Sequence, residues 1–431
     1  MLDIKFIREH EKEVKESLKK RGLDAKDVTM LLELDKKWRD LKQETEILRA
    51  ERNKISERIN EAKKRGENVN SIIKYAREIP QKIEKKEIEL KEIEEKRESI
   101  LEKLPNLVDK SVPVGPADKN KVIKVIGKPK KFGFKAKGHE ELLLALDCLD
   151  IERASKVAGA RFYYLKRELV KLNQALINYA LDFLAKKGFI LMQPPYMLRK
   201  DALKGAINFA AFEEMIYKIE GEDLYLIGTA EHALNAYYMN EVLKASELPI
   251  RFAGISPCFR KEAGAHGKDT KGIFRIHQFE KVEQFIFCKP EDSWKEFDLI
   301  LNNSIELYKG LGIPFRVVLL ASEDLGRVAT KTIDLEGWFP GQGAYRELGS
   351  CSNCLDYQAR RSNLKYEDKG SKNYVYTLNN TAIATERMLT CIVENYQQRD
   401  GSIKVPTVLQ KYCGFKVIKP AKVMLKKIKN E

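Results

Sequence analysis

The sequence predicts an α+β protein: a mainly antiparallel sheet flanked by helices, preceded by a long antiparallel two-helix arm. Three observations carry this. Apolar residues recur at heptad spacing between residues 28 and 104. A Pro- and Gly-rich stretch then breaks the pattern near residue 107. Beyond it, short strand-like runs alternate with long helical or irregular segments rather than with regular βαβ units.

Taken in order, residues 1–20 read as a short amphipathic helix that Gly22 interrupts. The first long stripe runs Leu31, Leu34, Trp38, Leu41, Leu48, Ile55, Ile59, with polar Thr45 and Arg52 at two heptad positions. The second runs Ile79, Ile83, Leu90, Ile93, Ile100, Leu104. Residues 63–70 (KKRGENVN) turn the chain between them, and Pro105 ends the second helix because proline cannot continue the backbone ladder. Each helix spends one seam on the hairpin. The outer faces are dense in Lys, Arg and Glu and should meet solvent. Two readings stay open on these residues alone: a dimerisation or spacer device, or a reach toward a nucleic-acid backbone with its Lys-Arg tip.

In the remainder, Val112-Pro113-Val114-Gly115-Pro116 reads as a linker. Residues 169–187 carry Leu172, Ala175, Leu176, Tyr179, Ala180, Phe183 and Leu184 at helical spacing. Residues 189–192 read as a strand that stops at Pro194-Pro195, with further strands at 250–257, 281–287, 315–320 and 373–378. The expected domains are therefore 1–110 and 111–431, with a basic extension from about residue 413.

Composition narrows the class. Of 431 residues, 79 are Lys or Arg and 64 are Asp or Glu, a formal net charge of +15. Residues 1–110 hold 29 basic and 26 acidic side chains, so most of the excess lies beyond them. A basic balance points toward polyanionic partners. No run approaches the length of a membrane-spanning helix. The start, Met1-Leu2-Asp3-Ile4-Lys5-Phe6, is too charged for a signal peptide. Seven scattered cysteines do not form a secreted disulfide framework. The expected location is the cytoplasm, with no membrane partner.

Four segments carry chemistry. In residues 256–283, two strand-like runs flank a Gly-rich charged loop. Arg260 leaves the first run and Arg275 enters the second. Arginine offers a fixed, planar cation for phosphate or carboxylate. Phe279 and Glu283 fall on one face of a regular strand. An aromatic ring, cations and carboxylates on one sheet face suit a nucleotide and an amine-bearing substrate. The other segments are Gly228-Thr229-Ala230-Glu231, the run 346–354 and the run 378–387. Cys351 and Cys354 form a lone C-x-x-C, which reads as packing, since a zinc site wants a second such pair. His277 reads as a structural hydrogen-bonding residue. Walker-A and G-x-G-x-x-G signatures are absent.

Together these segments resemble seryl-tRNA synthetases, of the class II aminoacyl-tRNA synthetase type. The resemblance spans Met1-Leu2-Asp3-Ile4, the arm, the Leu104-Pro105-Asn106-Leu107 junction, the 256–283 run, Ser350-Cys351-Ser352-Asn353-Cys354, Glu394-Asn395-Tyr396-Gln397 and Val405-Pro406. It implies a serine–tRNA ligase with a class II catalytic domain. Serine is activated by ATP to seryl-adenylate, then passed to the 3' end of serine tRNA. The arm, on this resemblance, grips the long variable arm of that tRNA. Selenocysteine tRNA would be a further partner where such a tRNA exists. Residues 169–195 resemble motif 1, which builds a homodimer.

The resemblance also implies roles. Arg260 matches the motif 2 arginine for the α-phosphate and the serine carboxylate. Glu262 matches the acid near the adenine amino group, Arg275 the arginine for the terminal phosphates, and Phe279 the ring that stacks on adenine. Arg387 matches the motif 3 arginine. Glu347 and Ser350 match a metal-holding pair, hence Mg²⁺ with ATP. Thr229, Glu231 and Glu283, with Asn379 and Thr381 nearby, match the pocket for serine. Arg260, Glu347 and Arg387 are the expected catalytic residues. Several positions depart from the pattern. Asn380 replaces a glycine, and Ala382 and Glu386 stand before and beside the motif 3 arginine, where glycines are usual. Gly228 replaces a proline, Gly349 a serine, and His232 an apolar residue. A carboxylate at Glu386 would compete with phosphate for Arg387. The alternative reading is a non-catalytic relative that keeps the fold as a scaffold. Retention of Arg260, Glu262, Arg275, Phe279, Glu283, Glu347 and Arg387 argues against it.

Overall fold

The structure is a computed structural model and describes residues 1–262 and 272–420. The middle of the 256–283 run and the end of the lysine-rich tail fall outside the described residues. The chain divides into two compact units, Leu2–Leu104 and Pro105–Glu431, the second also holding Met1.

The first unit is helical. Helices α1 (Ile4–Glu9) and α2 (Glu11–Lys20) take the place of the single expected helix, split at His10. Helices α3 (Lys26–Lys64) and α4 (Asn70–Lys103) form the antiparallel pair. Its seam is apolar where the stripes predict it, with Leu31, Leu41, Ile55, Ile79, Ile83 and Ile93 buried. Thr45 is buried too, and its hydroxyl is satisfied by the Leu41 carbonyl at 2.7 Å. Helix α4 begins nine residues before Ile79, because Ile72 and Ala76 continue the stripe, and Pro80 is carried inside it. Ion pairs cross between the helices: Lys37–Glu89 at 2.9 Å, Arg49–Glu87 at 2.6 Å, and Lys86–Glu44.

One buried charge interrupts this seam. Asp35 is 2% exposed and receives Arg39 and Arg97, each at 3.1 Å, with Arg8 at 3.7 Å. Arg97 also stacks over the Trp38 ring at 4.2 Å. Three cations around one carboxylate make its burial tolerable.

The second unit is built on an eight-stranded sheet. Its strands are β1 (Lys121–Ile126), β2 (Ile190–Met192), β3 (Ile250–Phe259), β4 (Gln278–Cys288), β5 (Phe315–Leu319), β6 (Lys331–Phe339), β7 (Ala344–Leu355) and β8 (Tyr376–Ala384). They lie in the order β1-β5-β6-β7-β8-β4-β3-β2. Only β2 and β3 run parallel; the other neighbours are antiparallel, as expected. Helices α5 (Glu168–Lys186), α6 (Ala230–Ala236), α7 (Ser293–Leu311) and α8 (Thr385–Tyr396) pack around this sheet.

Alternation along the strands sorts the two faces. Gln284 of β4 and Asn380 of β8 both bond to the Ile300 carbonyl and Ser304 hydroxyl of α7. Their neighbours Glu283 and Thr381 therefore point to the opposite face. β4 and β3 stay in unbroken register from Ile250↔Phe287 to Phe259↔Gln278. Phe279, Lys281 and Glu283 consequently share that opposite face.

Candidate active site

A cavity of about 250 Å³ opens on this face, lined by Thr229, Glu231, His232, Arg260 and Asn379 among others. Thr229 caps α6, its hydroxyl oxygen accepting the Glu231 N–H at 3.2 Å. This cap brings Glu231 to the cavity. The Glu231 carboxylate accepts Gln358 Nε2 at 2.7 Å and Asn379 Nδ2 at 3.1 Å, both on Oε1. Glu283 lies behind Thr229 and is 1% exposed. Its Oε2 accepts the hydroxyls of Thr229 at 3.5 Å and Thr381 at 3.4 Å, and also pairs with the Lys281 ammonium. Strand pairing sets this convergence, since Glu283 stands opposite both Thr381 and Gly254. All residues expected at serine thus meet in one cluster.

Burial first, then the neighbouring Glu283 charge, pushes the Glu231 carboxyl up to about 7, while Lys281, Gln358 and Arg260 pull the other way. His232 beside it is buried, which drives its imidazole down to about 3 and keeps it neutral. The Gly228 N–H donates to His232 Nδ1 at 3.3 Å. A Cβ at Gly228 would stand 3.3 Å from the His232 ring, so these two departures from the family pattern fit one another.

Arg260 joins this cluster to the expected nucleotide residues. Its Nε donates to the Gly228 carbonyl at 3.2 Å, and its guanidinium lies 5.1 Å over the Phe279 ring. His277 holds the Arg260 backbone from both sides: the Arg260 N–H reaches the His277 carbonyl at 2.9 Å, and His277 Nδ1 reaches the Arg260 carbonyl at 2.8 Å. His277 also lies 3.0 Å from the Tyr217 hydroxyl and stacks on Phe162. The structural reading of His277 fits these contacts. Arg275 pairs with Glu262 at 3.0 Å. Arg387, at the start of α8, pairs with Glu347 of β7 at 2.8 Å, and its charge holds the Glu347 carboxyl below the usual range.

Ser350 lies opposite Asp334 across β6 and β7, and its hydroxyl hydrogen-bonds the Asp334 carboxyl. Burial, then the charge of Glu347, pushes that carboxyl well above its ordinary value. One Asp334 oxygen is buried with no partner. Glu347, Ser350 and Asp334 supply hard oxygen donors, the chemistry that magnesium prefers alongside phosphate. The described residues contain no cluster of three or more His, Cys, Asp or Glu placed to hold a metal alone. Cys351 and Cys354 sit three apart on β7 and so leave opposite faces. Cys351 faces the Phe297 carbonyl of α7, and Cys354 faces Asn379.

Glu386 does not pair with Arg387, which is turned to Glu347. Burial raises the Glu386 carboxyl to about 7, and its Oε2 has no partner. A carboxyl that titrates near neutrality is only partly charged there, and it competes less for a guanidinium than an ordinary carboxylate does. Gly349 is explained by crowding: a Cβ there would fall 2.8 Å from the Tyr308 hydroxyl.

Sequence reasoning missed Lys281, Asp334 and Gln358. Lys281 was legible, since it alternates with Phe279 and Glu283. Asp334 alternates with Ile333 and Leu335 as any polar strand residue does and gave a weaker signal. Gln358 gave none, because it meets Glu231 across 127 residues of chain.

Comparison with known proteins matches both units of the chain. Residues 1–108 match the seryl-tRNA synthetase N-terminal domain, and residues 214–396 match the class II tRNA synthetase core domain of the G, H, P, S and T enzymes. A serine–tRNA ligase of Nitrosopumilus maritimus is 49% identical over 96% of this chain and 99% of its own. The crystal structure of a seryl-tRNA synthetase from Pyrococcus horikoshii, complexed with ATP, superposes with a TM-score of 0.93 at 47% identity, covering 98% of this chain and 100% of that one. A cytoplasmic serine–tRNA ligase of Naegleria fowleri, in complex with AMP, gives 0.87 at 40% identity over 98% and 99%.

Proposed function

The chain belongs to the seryl-tRNA synthetase family, and from that premise we propose how its residues carry out ATP-dependent serine–tRNA ligation. The observation that carries the reading is Arg260. It lines the cavity that holds Thr229, Glu231 and Asn379 and also lies over Phe279. One cation is thus shared between an amino-acid pocket and a purine platform.

In the first step a serine carboxylate oxygen attacks the α-phosphorus of ATP. The bond to the bridging oxygen breaks and pyrophosphate leaves. Arg260 neutralises charge on both the carboxylate and the α-phosphate. Phe279 and Arg387 hold the adenine, Glu262 meets its amino group, and Arg275 takes the terminal phosphates. Releasing Arg275 from Glu262 and Arg387 from Glu347 exchanges a carboxylate partner for phosphate. In the second step a terminal ribose hydroxyl of the tRNA attacks the seryl carbonyl and AMP departs. Negative charge develops in both steps, so positioned cations and donors supply most of the rate. Glu347 and Ser350 would hold Mg²⁺ with ATP, which supplies further charge neutralisation on the phosphates. Glu231, Glu283, Thr229, Thr381 and Asn379 bind the amine and hydroxyl of serine. A pocket that hydrogen-bonds a hydroxyl rejects the analogue lacking it by about 10⁴-fold or more.

The arm is the proposed grip on serine tRNA, supported by the exposed Lys63, Lys64 and Arg65 at its tip. The proposed homodimer uses α5 and β2. Val170, Ile190 and Leu191 stand 43%, 55% and 46% exposed there, and β2 is an apolar edge strand of the kind that a second chain covers. The cytoplasm is the proposed location, supported by seven free, buried thiols. Among the described residues no helix is long and apolar enough to cross a membrane.

Charging of purified serine tRNA with labelled serine, beside threonine and alanine, tests the reading. Charging with serine alone is expected. A dimer that neither charges tRNA nor supports serine-dependent pyrophosphate exchange would move the assignment to a scaffold.

A further inference from the structure

The two carboxylates of the amino-acid pocket are not electrostatically equivalent. Glu231 takes its hydrogen bonds from two neutral amides, Gln358 and Asn379. Glu283 takes two hydroxyls and one ammonium on a single oxygen. That ammonium belongs to Lys281, which is as buried as its partner: the two side chains are 8% and 2% exposed. A buried lysine beside a buried carboxylate cancels its charge locally while leaving it a hydrogen-bond acceptor. Arg260 also faces the cavity, and the serine carboxylate and α-phosphate occupy it. His232 is neutral.

We propose that Lys281 sets the charge of this pocket, so that Glu231 alone receives an ammonium and the Glu283–Lys281 pair receives a hydroxyl. Lys281 is then a positioning and specificity residue, not one that touches the reacting atoms. The inference rests on the serine–tRNA ligase reading. Its consequence is that the pocket refuses a second ammonium. Diaminopropionate, which is serine with an amine in place of the hydroxyl, fits by size and is rejected by the charge of Lys281.

The test uses serine-dependent pyrophosphate exchange by the full chain, with diaminopropionate as competitor above about pH 7, where Glu231 is ionised and the side-chain amine of the competitor stays charged. The wild type is expected to bind it far more weakly than serine. Lys281→Met is expected to lose about 100-fold or more in kcat/KM for serine, with KM for ATP unchanged and with relative tolerance of diaminopropionate increased. Lys281→Arg, which restores the cation, should recover part of the loss. If the wild type accepts diaminopropionate as readily as serine, the inference fails, and that result needs no variant to fold. It fails equally if Lys281→Met keeps wild-type serine kinetics, or if its KM for ATP rises in step with that for serine. A wild type without any serine-dependent exchange would instead overturn the ligase reading itself.

Discussion

The helical arm and the sheet unit handle charge in opposite ways. In the arm, ionisable groups line the outside, as in the Arg49–Glu87 pair, whose side chains are 54% and 44% exposed. Water screens such pairs, so they set helix register and solubility more than stability. In the sheet unit, carboxylates and cations are buried at close range: Glu231, Glu283, Lys281, Asp334 and Glu386. There each charge alters its neighbours' chemistry. Asp35 is the arm's exception, a single site-like node within a seam of Leu and Ile. Charge density alone therefore says little about function. Both regions are rich in charge, and burial separates the part that does chemistry from the part that holds shape.

Four experiments sharpen or break this contrast. The largest effect is expected from removing residues 28–104 behind a short linker. Loss of the proposed phosphate contacts should lower charging by about 10³-fold or more, while serine-dependent pyrophosphate exchange persists. A truncated chain that still charges normally would show that the arm only holds shape. Next, Arg260→Ala should lower pyrophosphate exchange by about 10² to 10³-fold, the scale of one lost electrostatic donor. Thermal unfolding should barely move, and normal exchange by this variant would dismantle the assigned site.

The third experiment is a pH profile. The folded Glu386 carboxyl titrates at about 7, above its ordinary 4.5. A raised folded pKa means that the protonated form is favoured in the fold. The contribution of this group to stability is therefore fully present below about pH 4.5 and is lost as pH rises from there through about 7. Glu386→Gln should relieve that loss, gaining up to about 3 kcal/mol over wild type at pH ~8 and little below pH ~4.5. Urea unfolding of both proteins across that range reads the difference. A pH-independent difference would mean that Glu386 is not buried uncharged. The fourth experiment compares two single substitutions in the arm. Ile79→Ala should cost about 2–4 kcal/mol through a seam cavity, and Arg49→Ala under about 0.5 kcal/mol. Hydrogen exchange of the arm amides would rank the two, and a reversed ranking would overturn the contrast.

The arm was legible because its signal is local. A heptad stripe is written within a few turns, and Leu31, Leu41, Ile55 and Ile83 all fall inward as that stripe requires. Two features escaped. Asp35 has no periodic signature, and α4 begins earlier than the stripe from Ile79 suggests. Strands β2, β3, β4 and β5 were located to within a few residues and β8 only at its start, whereas β1, β6 and β7 were not foreseen; nor was the order legible, since β4 lies between β3 and the distant β8. The site residues came from family resemblance rather than from pattern. What resemblance did not supply was their partners. The bonds of Gln358 to Glu231 and of Asn379 to Glu231 span 127 and 148 residues, and only the folded sheet brings them together.

The Asp35 node also has a mechanical meaning. About 44 Å of α3 lies between Asp35 and Lys64, at roughly 1.5 Å per residue. Over that length each degree of bending at the node displaces the far end by about 0.8 Å. Three arginines clamped on one acid at this point make the hairpin a stiff lever. Replacing Asp35 would leave the chemistry at Glu231 and Arg260 intact while letting the far end of the hairpin swing more widely.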